Sequence, residues 1–217
     1  MNSPAAVYQI EPATLALLRS FGTKAWNGNL TAYLARQQTL AAQYAHERKQ
    51  NLVPVQIEPR KKIALSPGEH SQLIRAIIED FGARFVSGGV LIYAGDTGKK
   101  WEYFDAALLR KLGVDVESHG KMPDVVIHDP DRNWLLLIEA VTSHGPVDSK
   151  RHRELACLFE SSTAGLVYVT AFPTRAIMSR YLGRIAWETE VWVADAPSHL
   201  IHFNGERFLG PYVSVSQ

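Results

Sequence analysis

The chain has a single cysteine, Cys157, among its 217 residues. One cysteine excludes an internal disulfide and fits a reducing compartment such as the cytoplasm. No apolar run approaches the roughly 20 residues that a membrane-spanning helix needs. The first residues, MNSPAAVYQIEP, lack the basic and apolar blocks of a signal peptide. These absences predict a cytoplasmic protein with no membrane partner.

The chain also lacks an excess of charge of either sign. Its net charge is +1, so a globally basic surface for nucleic acid is absent. Basic residues are nevertheless clustered, at positions 60–62, 99–100, 110–111 and 150–153. Each cluster is either a solvated surface or a local patch for a phosphate backbone.

The order of the apolar segments predicts an α/β fold. Runs typical of strands lie at 90–94, 124–128, 134–141, 165–172 and 191–194. Helical spacing lies between them, at 66–81, 101–112, 149–159 and 177–186. Ser66, Pro67 and Glu69 form a capping-box pattern at the start of the first of these helices. This alternation predicts a mixed central sheet flanked by helices.

A boundary is expected near residue 60. Residues 1–59 form a short helical N-terminal appendage in this interpretation, and residues 60–217 form the main domain. Pro54, Pro59 and the basic residues 60–62 interrupt the helical pattern between the two. Near the other end, Asn204-Gly205 predicts a hairpin turn.

Two carboxylates are expected to meet across a hairpin in the main domain. If the turn at 129–133 pairs the flanking strands with His128 opposite Leu135, Asp124 falls opposite Glu139. Directly opposed residues share a sheet face, with Cβ atoms about 5 Å apart. Two such carboxylates repel each other unless a cation lies between them, and oxygen ligands favour Mg²⁺. The alternative is that Asp124 merely begins one strand and Glu139 merely ends the other.

Here the sequence resembles a known pattern. Pro123-Asp124, followed after a hairpin by Glu139, resembles the PD-(D/E)XK nuclease motif. Seven blocks in order are similar to the C-terminal nuclease domain of the BsuBI/PstI restriction endonucleases: 65–70, 93–98, 120–126, 139–146, 168–173, 186–192 and 202–205. The resemblance covers about residues 60–213 and implies the PD-(D/E)XK-like restriction endonuclease fold.

The resemblance also implies a function. It indicates a type II site-specific deoxyribonuclease of a restriction–modification system, which hydrolyses phosphodiester bonds in double-stranded DNA with Mg²⁺ held by Asp124 and Glu139. Cutting both strands of a palindrome implies a homodimer, and a cognate DNA methyltransferase is expected to protect the host. The family's founding members read CTGCAG.

The expected active site departs from the general motif in one position. A lysine normally follows the motif glutamate by two residues, but this position is Val141. Lys150 is the first candidate to take over that role, followed by Lys121 and Lys100. A lysine near the attacking water would stabilise developing charge or tune the pKa of the water.

Further residues are candidates for the site. Lys121, Ser143, His144, Arg151 and Arg153 are expected to bind phosphates, although Ser143 and His144 could instead cap the following helix. Glu69 and Asp96 are possible additional acids. Glu69 has the capping box as its alternative role, and Asp96 could be an ordinary loop residue.

The N-terminal part raises a rival interpretation. The family carries a larger N-terminal DNA-reading domain, of which residues 1–59 would supply only the tail. A fragment, a shortened product, or a nuclease that depends on another subunit would all fit. The rival is a truncated, non-catalytic remnant that binds DNA or a partner. Val141 favours the remnant, whereas Asp124, Glu139 and the block 143–146 favour an enzyme.

Overall fold

A computed structural model describes residues 10–36, 51–96, 102–116, 121–142 and 145–203. The chain divides into two compact units, Met1–Gln50 and Asn51–Gln217. Within the described residues, no helix is long and apolar enough to cross a membrane.

The described part of the first unit is helical. Helix α1 spans Pro12–Leu18, with its proline at the first position, and α2 spans Trp26–Arg36. Gly22 lies between them with φ of 78°, a backbone conformation that favours glycine. The rings of Phe21 and Trp26 meet edge to face, 4.9 Å between centroids. The predicted helical character of this region is therefore confirmed for these residues.

The second unit begins with a β-hairpin. Strands β1 (Val53–Glu58) and β2 (Lys61–Leu65) pair antiparallel, and the predicted boundary between residues 59 and 60 lies in the turn that joins them. Val53 and Val55 are buried in a cluster with the helix Glu69–Ala76, which follows the hairpin. Their period-two spacing is what a strand with one buried face requires.

The central sheet of this unit is mixed, as the sequence predicts. Its strands in the described residues are β3 (Val90–Ala94), β4 (Tyr103–Phe104), β5 (Val125–Asp129), β6 (Trp134–Ala140), β7 (Gly165–Phe172), β8 (Thr189–Val193) and β9 (Leu200–Phe203). They lie in the order β4-β3-β5-β6-β7-β8-β9. The pairs β6/β7 and β7/β8 are parallel, and the other pairs are antiparallel. β9 pairs with β8, and the predicted turn at Asn204-Gly205 lies outside the described residues.

Helices cover both faces of the sheet. These helices are α3 (Glu69–Ala76), a π-helical turn (Ile77–Phe81), α4 (Gly82–Phe85), α5 (Ala106–Lys111), α6 (Ser149–Leu158), α7 (Arg175–Met178) and a 3₁₀ turn (Leu182–Arg184). Leu136 and Ile138 of β6 pack in the cluster that contains α3. Leu135 and Leu137 pack in the cluster that contains α5 and α6. Strand β6 is thus buried on both faces, as a central strand is.

The capping box predicted at Ser66 is wrong. Helix α3 begins at Glu69, and Gly68 is its N-cap with φ of 144°. Ser66 binds Asp96 instead: its backbone N–H donates to Oδ1 at 2.9 Å, and its hydroxyl donates to Oδ2 at 2.8 Å. In a capping box the N–H of Ser66 would donate to Glu69, but Asp96 accepts both that N–H and the hydroxyl, so Ser66 is held away from the helix end.

Two other predicted helices are shorter than expected. The helix expected from residue 101 begins at Ala106, because Tyr103 and Phe104 pair with β3 and Asp105 caps the helix through the N–H of Leu108. The helix expected over 177–186 is reduced to α7 and the 3₁₀ turn.

Candidate active site

The β5–β6 hairpin brings Asp124 and Glu139 together. His128 pairs with Leu135 and Val125 pairs with Ile138, which is the predicted register. Continuing this register by one residue places Asp124 opposite Glu139. Successive side chains of a strand point to opposite faces of the sheet, so Glu139 shares a face with Leu135 and Leu137. This is the face that α6 covers.

The carboxylate of Asp124 is held by contacts to both of its oxygens. Oδ2 accepts a hydrogen bond from the backbone N–H of Ala140 at 2.8 Å. Oδ1 lies 3.4 Å from Nε2 of His70, at the start of α3. A hydrogen bond to Asp124 is the main cause that raises the pKa of His70, while partial burial opposes it. Helix α3 and strand β6 therefore both fix the direction of this carboxylate.

Glu139 lies in a buried and negatively charged position. Its side chain is 15% exposed. Burial, followed by the charge of Asp124, raises the pKa of Glu139 from 4.5 to about 7, although Arg151 acts in the opposite direction. Burial and the same two carboxylates also raise the pKa of Tyr93 to about 12. The site thus has negative charge that the surrounding residues compensate only in part.

Arg151 provides the closest positive charge. Its Nε donates to Oε1 of Glu139 at 2.7 Å, and its Nη2 lies 2.7 Å from the same oxygen. Nη2 also donates to the backbone carbonyls of Lys121 (3.0 Å) and Met122 (3.1 Å). Nη1 donates to Oε2 of Glu154 at 3.3 Å.

The site opens into a cleft of about 640 Å³. His70, Asp124, Glu139 and Arg151 line it. Residues on its rim include Asp96, Lys121, Gly145, Lys150 and Arg184. The cleft therefore combines two carboxylates at its base with several cations, as a site for a phosphate diester and a metal would.

Comparison with known proteins identifies the family. The sequence-family model of the BsuBI/PstI restriction endonuclease domain matches residues 53–206. The chain belongs to the BsuBI/PstI restriction endonuclease family. The model of the BsuBI/PstI restriction endonuclease HTH domain matches residues 1–42.

Individual relatives agree with this family. The chain is 66% identical over 212 residues to the type II restriction enzyme BsuBI of Bacillus subtilis, covering 98% of this chain and 67% of the relative. It is 32% identical to the type II restriction enzyme AplI of Arthrospira platensis, covering 96% and 66%. The structure of SdaI restriction endonuclease superposes with a TM-score of 0.72 at 38% identity, covering 97% and 68%. The chain spans about two thirds of the length of these proteins.

These comparisons confirm three predictions. The chain is a member of the BsuBI/PstI family, it has the restriction endonuclease fold, and it is an enzyme of the type II restriction endonuclease class. The type II restriction enzymes among the relatives support an enzyme over the non-catalytic remnant.

Within this BsuBI/PstI domain, the predicted basic residues differ in position. Lys121 and Lys150 both line the cleft. The side chain of Lys150 is 81% exposed, and its Nζ lies 3.7 Å from Oε1 of Glu154. Arg153 is exposed farther along α6. Ser143, His144 and Lys100 lie outside the described residues.

The two possible additional acids also differ. Asp96 lines the cleft, but both of its oxygens accept hydrogen bonds from Ser66. Glu69 is exposed at the start of α3, and its neighbour His70 faces the site instead. Consecutive residues of a helix point about 100° apart, so only one of the two faces Asp124.

Val141 occupies the motif-lysine position for a clear physical reason. It is fully buried, and it packs in a cluster with Phe172, Ile185 and Val191. Its backbone N–H donates to the carbonyl of Ala171 at 2.8 Å, which continues the β6–β7 pairing. A lysine here would place an unpaired ammonium in an apolar cluster, at a cost of several kcal/mol.

The sequence alone did not indicate His70 or Arg184 as residues of the cleft. Arg184 lies near Gly145, where an added Cβ would be 2.7 Å from Nη2, and its Nη2 is 3.6 Å from Oδ2 of Asp148. Both residues come from parts of the chain distant in sequence from the motif. The only sequence signal for His70 is its place in the block 65–70.

The donor set fits a hard divalent cation. Within the described ranges, no group of three or more His, Cys, Asp or Glu side chains is placed to hold a metal. Mg²⁺ does not require such a group, since one or two carboxylates, with water and phosphate oxygens, are its usual ligands in phosphoryl-transfer enzymes. The raised pKa of Glu139 indicates that a cation between the carboxylates would relieve their repulsion.

Proposed function

We propose that the chain cleaves double-stranded DNA by Mg²⁺-dependent hydrolysis at this cleft, with Asp124 and Glu139 as the metal ligands. The observation that carries the proposal is the β5–β6 register, which brings these carboxylates close enough for the charge of Asp124 to raise the pKa of Glu139. When bound, Mg²⁺ supplies Lewis acidity to the scissile phosphate and lowers the pKa of an attacking water.

The remaining groups of the cleft bind and orient the DNA in this proposal. Lys121 and Lys150 present exposed ammonium groups at the rim, where they bind phosphates of the backbone. Arg153, Ser143 and His144 are further phosphate-binding residues in this proposal, as the sequence predicts. A role of Lys150 in the chemical step stays a prediction. The high exposure of its side chain favours binding of DNA backbone phosphates.

His70 orients Asp124 in this proposal. Its Nε2 faces Oδ1 while the N–H of Ala140 holds Oδ2, so the carboxylate has little freedom to rotate. A ligand held in one rotamer loses less conformational entropy when it binds a metal.

The enzyme is expected to act as a homodimer on a palindromic site, because one cleft cuts one strand. A cognate methyltransferase modifies the same site in the host DNA. Both enzymes then share the cytoplasm with the chromosome that must stay uncut.

Cleavage of supercoiled plasmids that carry CTGCAG tests the proposal. The purified chain is expected to yield discrete fragments with Mg²⁺ and none with EDTA. Asp124→Asn and Glu139→Gln, which remove the charge but keep the shape, should each abolish cleavage. Asp80→Asn, at an exposed acidic residue of the π-helical turn, is the matched control and should cut normally. Cleavage by either site variant at the native rate would exclude this site.

A further inference from the structure

Arg151 contacts the two chain segments that carry the carboxylates. We propose that Arg151 is a positioning residue for cleavage, which holds Glu139 and the segment preceding Asp124 in their mutual arrangement and places a cation beside the motif glutamate, where position 141 supplies none. This inference rests on the proposed metal-dependent cleavage.

Arg151 contacts one oxygen of Glu139 with two of its nitrogens. Nε and Nη2 of Arg151 both lie 2.7 Å from Oε1. Because both contacts are to the same oxygen, they fix the direction in which the second oxygen, Oε2, points. Asp124 is treated similarly, since the N–H of Ala140 holds its Oδ2. Protein groups thus contact one oxygen of Glu139 and, together with His70 at Oδ1, both oxygens of Asp124.

Arg151 also contacts the segment that precedes Asp124. Nη2 donates to the carbonyls of Lys121 and Met122, which precede Pro123-Asp124 in the chain. One planar guanidinium therefore links the end of β6 to the entry of β5. A lysine ammonium is a point charge without the fork of donors that this bridge uses.

The capped first turn of helix α6 directs Arg151 toward the site. Asp148 caps this helix, and its Oδ1 accepts from the N–H groups of Lys150 (3.1 Å) and Arg151 (2.9 Å). The cap fixes the first turn, in which successive side chains point about 100° apart. Arg151 is directed inward with 17% of its side chain exposed, whereas that of Lys150 is 81% exposed.

Position 141, where the motif lysine is expected, holds valine. Val141 is sealed in an apolar cluster, so the strand cannot supply a cation from that position. Arg151 supplies one from the adjacent helix, in direct contact with the motif glutamate. Within the described residues of the cleft, it is the cation that contacts Glu139.

The test compares Arg151→Met, Arg151→Lys and the matched control Arg110→Met. Arg110 is an exposed arginine of α5 that also pairs with a carboxylate, Asp115. Three quantities are measured for each: kcat and KM on a DNA duplex, DNA binding in EDTA, and the rise in melting temperature on adding millimolar Mg²⁺ without DNA. The last two do not depend on turnover.

Arg151→Met should lower kcat about 100-fold, the loss expected when a reacting group is misplaced by about 1 Å. KM and DNA binding in EDTA should stay within about threefold, because binding affinity comes mainly from other cations. The Mg²⁺-dependent rise in melting temperature should fall by at least half. Arg151→Lys should recover part of this rise in melting temperature. Its kcat should stay at least about tenfold below native, because an ammonium does not restore the simultaneous contacts with Glu139 and the carbonyls of Lys121 and Met122.

Several results would overturn the inference. One is native kcat in Arg151→Met; another is full recovery of kcat in Arg151→Lys, which would show that charge alone suffices. A larger Mg²⁺ response in Arg151→Met would show that the guanidinium competes with the cation. If Arg151→Met does not fold, the Lys variant decides by its kcat. Asp124→Asn, run in parallel, separates the two proposals: an inactive Asp124→Asn beside a fully active Arg151→Met refutes only this inference.

Discussion

Nε2 of His70, in the first turn of helix α3, lies 3.4 Å from Oδ1 of Asp124, at the entry to strand β5. The contact joins two residues that are more than 50 positions apart in the chain. It also places an imidazole, and not the adjacent Glu69, against a proposed metal ligand.

The first prediction concerns this contact. His70→Ala should reduce kcat about tenfold or more with a smaller change in KM, because Asp124 loses one of the two partners that orient it. His70→Gln retains an N–H donor with a reach close to that of Nε2 and should recover part of the activity. Single-turnover cleavage measures both. His199→Ala, at an exposed histidine that bonds only Ser198 in the described contacts, is the control. Equal rates for His70→Ala and the control would contradict the assignment.

The second prediction concerns pH. Burial and the charge of Asp124 raise the pKa of Glu139 to about 7, so the metal-free protein holds a proton there that the unfolded chain releases above about 4.5. Stability without metal should therefore fall as pH rises from 4.5 to about 7. Mg²⁺ binding has the opposite dependence, because the cation must displace that proton.

Melting curves with and without Mg²⁺ between pH 5.5 and 8.5 check this pH dependence, those limits being about 1.5 units on either side of the pKa. The Mg²⁺-dependent rise in melting temperature should grow through about pH 7. The charged form of His70, whose pKa is also raised, is lost in the same direction and adds to the effect. Asp80→Asn should show the native profile. A rise that is independent of pH would contradict a protonated Glu139 in the metal-free protein.

The third prediction concerns the motif position. Val141→Lys should lower the free energy of unfolding by about 3 kcal/mol or more, because it buries a charge among Phe172, Ile185 and Val191. Chemical denaturation measures this loss. Val141→Ile, which keeps the apolar character but adds a methylene to a packed cluster, should lose about 1 kcal/mol, less than the lysine variant. The lysine variant should also cut more slowly than native; a stable and more active Val141→Lys would show that the strand can accept the usual motif.

The fourth prediction concerns the helix cap. Asp148→Ala should destabilise the chain by about 1 kcal/mol, since the N–H groups of Lys150 and Arg151 lose their acceptor. It should also slow cleavage, because the first turn of α6 carries Arg151. Asp148→Asn keeps an acceptor oxygen and should lie close to native in both measurements. Unchanged cleavage by the alanine variant would mean that the cap does not control the position of Arg151.

The sequence by itself determined the fold class and the pair of carboxylates. Strands β5 and β6 have apolar runs on either side of a turn rich in Asp and Asn, and a one-residue slip would move every side chain to the other face. The register with His128 opposite Leu135 could therefore be predicted, and with it the meeting of Asp124 and Glu139. The exact limits of β3 and β7 were equally predictable, because their apolar runs are bounded by glycine or proline.

Only the tertiary structure decided which residues surround that pair. Ser66 forms a good capping pattern locally, yet Asp96, 30 residues away, binds it more strongly. Lys150 and Arg151 are adjacent basic residues that the sequence cannot rank, and the direction of the first turn of α6 turns one outward and the other toward Glu139. His70 and Arg184 reach the cleft through packing of α3 and of the segment after α7. Local patterns encode periodicity and pairing within a hairpin, whereas these contacts depend on how helices dock on the sheet, and that is set by the whole core.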